Sequence, residues 1–116
     1  MNIRRLHCGP RMSEAVIYNG VVYLAGQVAE DAEQDITGQT EQVLAAIEAL
    51  LQQAGTEKSR LLTAQIFLRD LADFAAMNAV WERWVVPGAT PTRATVQAAL
   101  ARPGWKVEIL VTAAAA

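Results

Sequence analysis

Cysteine and histidine are nearly missing from this 116-residue chain, which has one of each, Cys8 and His7. A single thiol cannot close an internal disulfide, so the core alone must hold the fold. One imidazole beside one thiol also falls short of a zinc ligand set, and no metal is expected. With His7 alone, neither Ser13 nor Ser59 has an identifiable base, which disfavours nucleophilic serine chemistry. A block of like charge is missing too. Ten Lys and Arg are scattered among twelve Asp and Glu for a net charge of −2, so no electrostatic footprint for nucleic acid appears. No window approaches the roughly 18 consecutive apolar residues of a membrane helix, and MNIRRLHCGPRMSEA lacks the apolar stretch of a secretory signal. No membrane partner is expected, and the expected location is cytoplasmic.

Apolar residues are abundant instead, at 53% against 19% charged. Residues 1–116 are long enough for one domain with a single core, and an apolar surplus implies a greasy surface.

The runs EAVIY (14–18) and VVYLAGQV (21–28) flank Asn19-Gly20, the dipeptide that best fits both positive-φ positions of a type I′ turn, and predict a hairpin. Ile3 to His7 adds an edge strand. The polar loop EDAEQD ends at Asp35, a helix N-cap, and Val43, Ile47, Leu50, Leu51 and Ala54 then follow the spacing of one helical face up to Gly55. Residues 60–69 read as a buried strand. Asp70 opens a second amphipathic helix bearing Phe74, Met77, Trp81, Trp84 and Val85, which Pro87-Gly88 stops. Two further strands, 93–100 and 105–113, flank Arg102-Pro103-Gly104. The order is β-β-β-α-β-α-β-β: an α+β plan in which two helices cover one face of a six-stranded mixed sheet.

Two helices leave the other sheet face bare. Apolar residues of both parities in 60–69 (Leu61 and Phe67 against Leu62, Ile66 and Leu68), and Leu110 facing away from Val107, Ile109 and Val111, make that face partly apolar. A homo-oligomer with sheets turned towards one another is the expected consequence.

Within the last strands stand two charges. Alternation places Arg93, Thr95 and Gln97 on one face of their strand, and Glu108 shares its face with Lys106 and Leu110. Burying an unpaired guanidinium costs several kcal/mol. Arg93 and Glu108 could therefore form a structural ion pair, or each could reach water at a strand edge. Alternatively Arg93 holds a ligand carboxylate with its planar fork while Glu108 handles a proton or a water. Trp81 and Trp84 read as core, Asn78 as a loop brace off the apolar stripe, and Thr95 as either a hydrogen-bonding group or ordinary strand propensity.

RMSEAVIYNGVVYLAGQV, DLADFAAMN and PTRATVQAALARPGWKVEI together resemble the Rid family, also called YjgF, over nearly the whole chain. The most specific element is P-x-R followed fifteen residues later by the Glu of V-E-I. The resemblance implies a chorismate-mutase-like fold assembled as a homotrimer with sites between subunits. It also implies enamine/imine deamination, in which 2-aminoacrylate or 2-iminopropanoate becomes a 2-oxo acid and ammonia with no cofactor. Carried over, Arg93 is the carboxylate clamp and Glu108 orients or activates water. Thr95, Gly26, Ala25, Met12 and Asn78 would line the substrate site, and Arg11 is either a second carboxylate contact or a solvated loop residue. The chain departs from the best-known members at three places. Met12 follows Gly9-Pro10-Arg11 where a tyrosine is usual after Gly-Pro, Ala25 replaces a serine, and Thr95 replaces a cysteine. Two other readings stay open: a non-catalytic metabolite-binding or regulatory module, and a hydrolase or lyase for a specialised catabolic substrate.

Overall fold

A computed structural model describes residues 2–116. Strands β1 (Arg4–Leu6), β2 (Ala15–Tyr18) and β3 (Val21–Leu24) form an antiparallel meander, and the short β4 (Gln27–Val28) follows. Helix α1 (Ile36–Gln53) leads through a 3₁₀ turn to β5 (Leu61–Leu68). A second 3₁₀ turn opens α2 (Phe74–Trp84), before β6 (Thr92–Gln97) and β7 (Val107–Ala114). The strand order is β1-β2-β3-β7-β5-β6, with β4 also paired to β7. Only β5 and β6 run parallel, as the α2 crossover between them requires.

Local chemistry accounts for each boundary. Asn19 and Gly20 have φ of 52° and 80°, the left-handed pair of the expected turn. Asp35 caps α1, its side chain accepting from the Gly38 N–H at 2.8 Å. Gly55, at φ 83°, ends that helix, and the Thr56 N–H returns to the Leu51 carbonyl. Asp70 caps the 3₁₀ turn Leu71–Asp73 through the Ala72 N–H, so the regular helix begins four residues later than its sequence signal.

Both helices pack on one face. Val43, Leu44, Ile47 and Leu51 of α1, with Met77, Val80 and Trp81 of α2, bury Ile66, Leu68, Val107, Ile109 and Val111 of the central strands. The other face is open, and Tyr18, Tyr23 and Val96 are exposed on it.

Three details differ from the sequence pattern. The expected strand 21–28 breaks at Ala25-Gly26, so both pieces pair with β7 in succession. The β5–β7 register shifts between Leu61 and Thr63, which turns Leu61 into the core and leaves Leu62 exposed, the reverse of strict alternation. The strand of Arg93 stops at Gln97, because residues 98–106 leave the sheet as a loop.

Candidate functional site: two half-sites on opposite faces

Register decides where Arg93 stands. In the parallel pair β5–β6, Ala64 lies beside Arg93 and Ile66 beside Thr95. Ala64 and Ile66 are buried under the helices, so Arg93 and Thr95 share the helix-covered side, at its β6 edge. There α2 supplies a cradle from one stripe, with Phe74, Asn78 and Trp81 at helical spacing. The Arg93 Nη1 donates to Asn78 Oδ1 at 2.7 Å. The guanidinium carbon stands 5.5 Å from the Trp81 ring centre and 5.8 Å from that of Phe74, within cation–π range of both.

This cation has no matching acid. Among the described residues the ion pairs are Lys58–Glu48 at 3.8 Å and Arg83–Glu41 at 3.9 Å. Burial pushes the Arg93 guanidinium below its ordinary value, and the more distant charge of Glu82 opposes that shift in part. Five N–H donors meet a single side-chain acceptor, Asn78, which leaves a planar fork with capacity for a carboxylate. Beside it, Thr95 Oγ1 is buried without a hydrogen-bond partner, alone in this among the side-chain atoms of the described residues. An unsatisfied buried hydroxyl costs about 1–3 kcal/mol, so this atom marks a place where an incoming polar group would be stabilising.

Glu108 stands on the other face. In β7 it alternates with the buried Val107 and Ile109, pairing with Phe67 of β5 and Val28 of β4 on the open side. The bend at Ala25-Gly26 explains its surroundings. A Cβ on Gly26 would lie 3.0 Å from the Glu108 carboxyl carbon and closer still to Oε2, so the carboxylate occupies the place of a side chain. The bend is tied down by the Ala25 N–H donating to the Glu14 carbonyl at 2.9 Å. Gln27 Nε2 adds bonds to Glu14 Oε2 at 2.9 Å and to the Ala25 carbonyl at 3.1 Å. A hollow of about 220 Å³ adjoins Glu108, walled by Phe67 and residues 98–101.

The sequence-expected residues therefore divide into two groups. Arg93, Thr95 and Asn78 meet on the helix side, while Glu108, Gly26 and Ala25 meet on the open side. Arg11 and Met12 are exposed in the β1–β2 loop, with no side-chain hydrogen bond to either group. One strand, β5, separates β6 from β7, so Arg93 and Glu108 stand about 10 Å apart across the strands at roughly 4.8 Å per strand and a further three residues, about 10 Å, apart along them, with the sheet between them. An intrachain Arg93–Glu108 ion pair is thereby excluded. Asn78 braces Arg93 rather than a loop. Trp81 is core, as its spacing implied, and also flanks the guanidinium, a role that helical spacing from Phe74 and Asn78 would have signalled.

A larger hollow, about 370 Å³, is lined by Thr63, Gln65, Arg93, Ala94, Leu110 and Thr112 among others. Its polar groups are largely paired internally. The Thr63 and Thr112 hydroxyls meet at 2.6 Å, and Gln65 Nε2 donates to the Ala94 carbonyl at 3.2 Å.

Comparison with known proteins agrees with this architecture. The family model described as Endoribonuclease L-PSP matches residues 3–115. A RutC family protein of Haemophilus influenzae is 48% identical over 114 residues, covering 97% of this chain and 98% of the relative. The RutC family protein YoaB of Escherichia coli K12 is 47% identical over 114 residues, covering 98% of this chain and 99% of the relative. The crystal structure of a YjgF family member from Neisseria meningitidis superposes with a TM-score of 0.97 at 47% identity, covering 100% of this chain and 97% of that one. An unpaired arginine on an α2 cradle, a glutamate seated against a glycine bend and relatives alike from end to end lead to one assignment: the chain belongs to the YjgF, or Rid, family.

Proposed function

We propose that the protein is an enamine/imine deaminase that hydrolyses 2-imino acids at sites completed between subunits of a homotrimer. The observation that carries this reading is the guanidinium of Arg93, half buried, held by Asn78 and two aromatic rings, and without a carboxylate of its own chain. A 2-imino acid brings that carboxylate. In the proposed site Arg93 clamps it bidentately, and Thr95 Oγ1 takes a further polar contact of the ligand or of a bound water.

Glu108 of a neighbouring copy faces the reacting carbon in this reading. Its carboxylate accepts a proton from water as the water oxygen bonds to C2, and the imine nitrogen is protonated. The resulting carbinolamine then loses ammonia as its C–N bond breaks, its hydroxyl proton leaves and C2 becomes a carbonyl, so water plus imine gives 2-oxo acid plus ammonia. Imines are reactive enough that positioning and electrostatic stabilisation suffice, and the residues supply both without a cofactor. The separation of the two half-sites within one subunit supports a site completed by a second copy. The exposed Tyr18, Tyr23 and Val96 give the open face apolar area for that contact. Ribonuclease action, which the family description names, gains no support from a scattered net charge of −2, and the only histidine, His7, contacts Gln53 at 2.5 Å.

The test generates 2-iminopropanoate in situ with an amino-acid oxidase and follows imine loss and ammonia release. Wild type should accelerate both, and Arg93→Ala should return the rate to the uncatalysed level. Equal clearance by wild type and variant would remove the proposal. Saturable binding of 2-oxobutanoate without faster imine loss would establish the metabolite-binding module instead.

A further inference from the structure

We propose that the hollow beside Glu108 receives the side chain of the substrate, and that it selects 2-imino acids with branched or extended apolar side chains over the methyl-bearing imine. This rests on the deaminase reading of the same site and adds the substrate class.

Apart from the Glu108 carboxylate, the side chains that line this open hollow are apolar, those of Phe67, Ala98, Ala99, Leu100 and Ala101, with polar backbone exposed among them. Its volume of about 220 Å³ is several times the roughly 30 Å³ share of one water molecule, which is also about the size of a methyl group. A methyl side chain would leave most of it unfilled. The carbon attacked by water must lie close to Glu108, which itself lines this hollow, so a substituent on that carbon is within reach of it.

The wall is built to keep its shape. Residues 98–101 belong to the loop that leaves β6, and Arg69 grips that loop at three carbonyls. Its Nε donates to Trp105 at 2.8 Å, and its Nη2 donates to Arg102 at 2.6 Å and to Leu100 at 3.3 Å. The Ala98 N–H bonds to the Leu68 carbonyl at 2.9 Å and the Arg69 N–H to the Lys106 carbonyl at 3.0 Å, so the two ends of the loop are pinned to the last residue of β5 and the residue after it. A run of small side chains on a fixed backbone makes an open compartment, where larger residues would have filled it. Specificity of this kind follows from apolar contact, in which each methylene in a fitted pocket changes transition-state binding by about 10- to 200-fold.

The experiment compares imines carrying methyl, ethyl, isobutyl and 2-(methylthio)ethyl groups, made in situ, and in parallel the calorimetric affinity of the corresponding 2-oxo acids. Wild type should show kcat/KM at least about tenfold higher for the isobutyl than for the methyl imine, and the 2-oxo acids should follow the same order. Ala99→Phe, at an exposed position on the wall, should lower the isobutyl-to-methyl ratio of kcat/KM about tenfold. Ala98→Leu offers a second, smaller filling of the same wall. Equal kcat/KM for all four imines, or an equal loss for all four in both variants, would overturn the side-chain assignment while leaving the deaminase reading intact. Absence of catalysis together with a 2-oxo acid series ordered by side-chain size would do the reverse. It would keep the compartment as a binding determinant and discard deamination.

Discussion

Arg93 and Glu108 lie on opposite faces of the same sheet, with β5 between their strands. Arg93 is on the helix side, in register with the buried Ala64, and Glu108 is on the open side, in register with Phe67. No side-chain rotation brings the two together across a hydrogen-bonded sheet, so a reaction using both needs a second copy of the chain.

That relationship makes a mixing experiment decisive. Arg93→Ala and Glu108→Ala homo-oligomers should each be inactive, because every site lacks one half. Unfolded together and refolded as a 1:1 mixture, they should regain activity in roughly a quarter of the sites, those that by chance draw an intact arginine from one copy and an intact glutamate from the next. Ammonia release before and after mixing reads this directly. Activity that stays at the level of the separate variants would show that both groups act from one chain, or that only one acts at all.

Asn78 sets how available the guanidinium is. Removing its amide in Asn78→Ala takes away a hydrogen bond of 2.7 Å, leaves the aromatic flanks, and should weaken 2-oxobutanoate binding about tenfold. Asn78→Asp should be far worse despite its near-identical shape. It sets a carboxylate of the chain itself where the amide oxygen stood, against the same Nη1, and this internal acid competes with the ligand for the fork. Titration calorimetry should give at least about a hundredfold loss for the aspartate, a disparity that general loss of packing would not produce.

Gly26 is required for space rather than for backbone freedom, since its φ is not among the positive ones. In Gly26→Ala the new methyl falls on the Glu108 carboxylate, the far end of a flexible side chain that can swing aside. Stability should therefore change little while turnover falls about a hundredfold, as expected for misplacing a reacting group by an ångström or so. Equal turnover by Gly26→Ala and wild type would show that the Glu108 position does not matter to the reaction.

Most of the frame was legible because it is written in local chemistry. Asn19-Gly20 specifies a turn, Asp35 a cap and Gly55 a helix end, and the 3,4-spacing from Val43 to Ala54 specifies the buried stripe. Arg93 and Glu108 stood out because charges inside apolar strands need partners. Features that depend on contacts distant in sequence were not legible. Alternation in 60–69 grouped Leu62 with Ile66 and Leu68 and left the inward face open; the register shift between Leu61 and Thr63, which turns Leu61 inward and Leu62 outward, arises from pairing with β7. Parity grouped Arg93 with Thr95 but could not say which face they share, as that follows from β5 lying beside them. Gln39 and Arg69 escaped notice altogether: a glutamine on a helix and an arginine ending a strand read as solvated, and only the folded loops bring carbonyls to them.

Gln39 is fully buried, and its amide joins three segments. Nε2 lies 2.9 Å from the Gly104 carbonyl and 3.1 Å from those of Ala32 and Gln34, while Oε1 accepts from the Lys106 N–H at 2.9 Å. It thus ties the loop before α1 to the loop that walls Glu108. Gln39→Leu keeps the volume but strands a buried N–H and its carbonyl neighbours, and should cost about 3 kcal/mol in urea unfolding. Gln39→Glu adds a pH signature. A carboxylate facing three carbonyls is disfavoured in the folded state, so folding raises the pKa of the new acid above its unfolded value. The folded variant then binds the proton more tightly than the unfolded one, and its stability is retained at low pH and lost as pH rises. Unfolding free energies measured from pH 5 to pH 8 should therefore fall for Gln39→Glu relative to wild type and stay parallel to wild type for Gln39→Leu. A Gln39→Glu curve that runs parallel as well would mean that water reaches the amide and that the loops are not held through it.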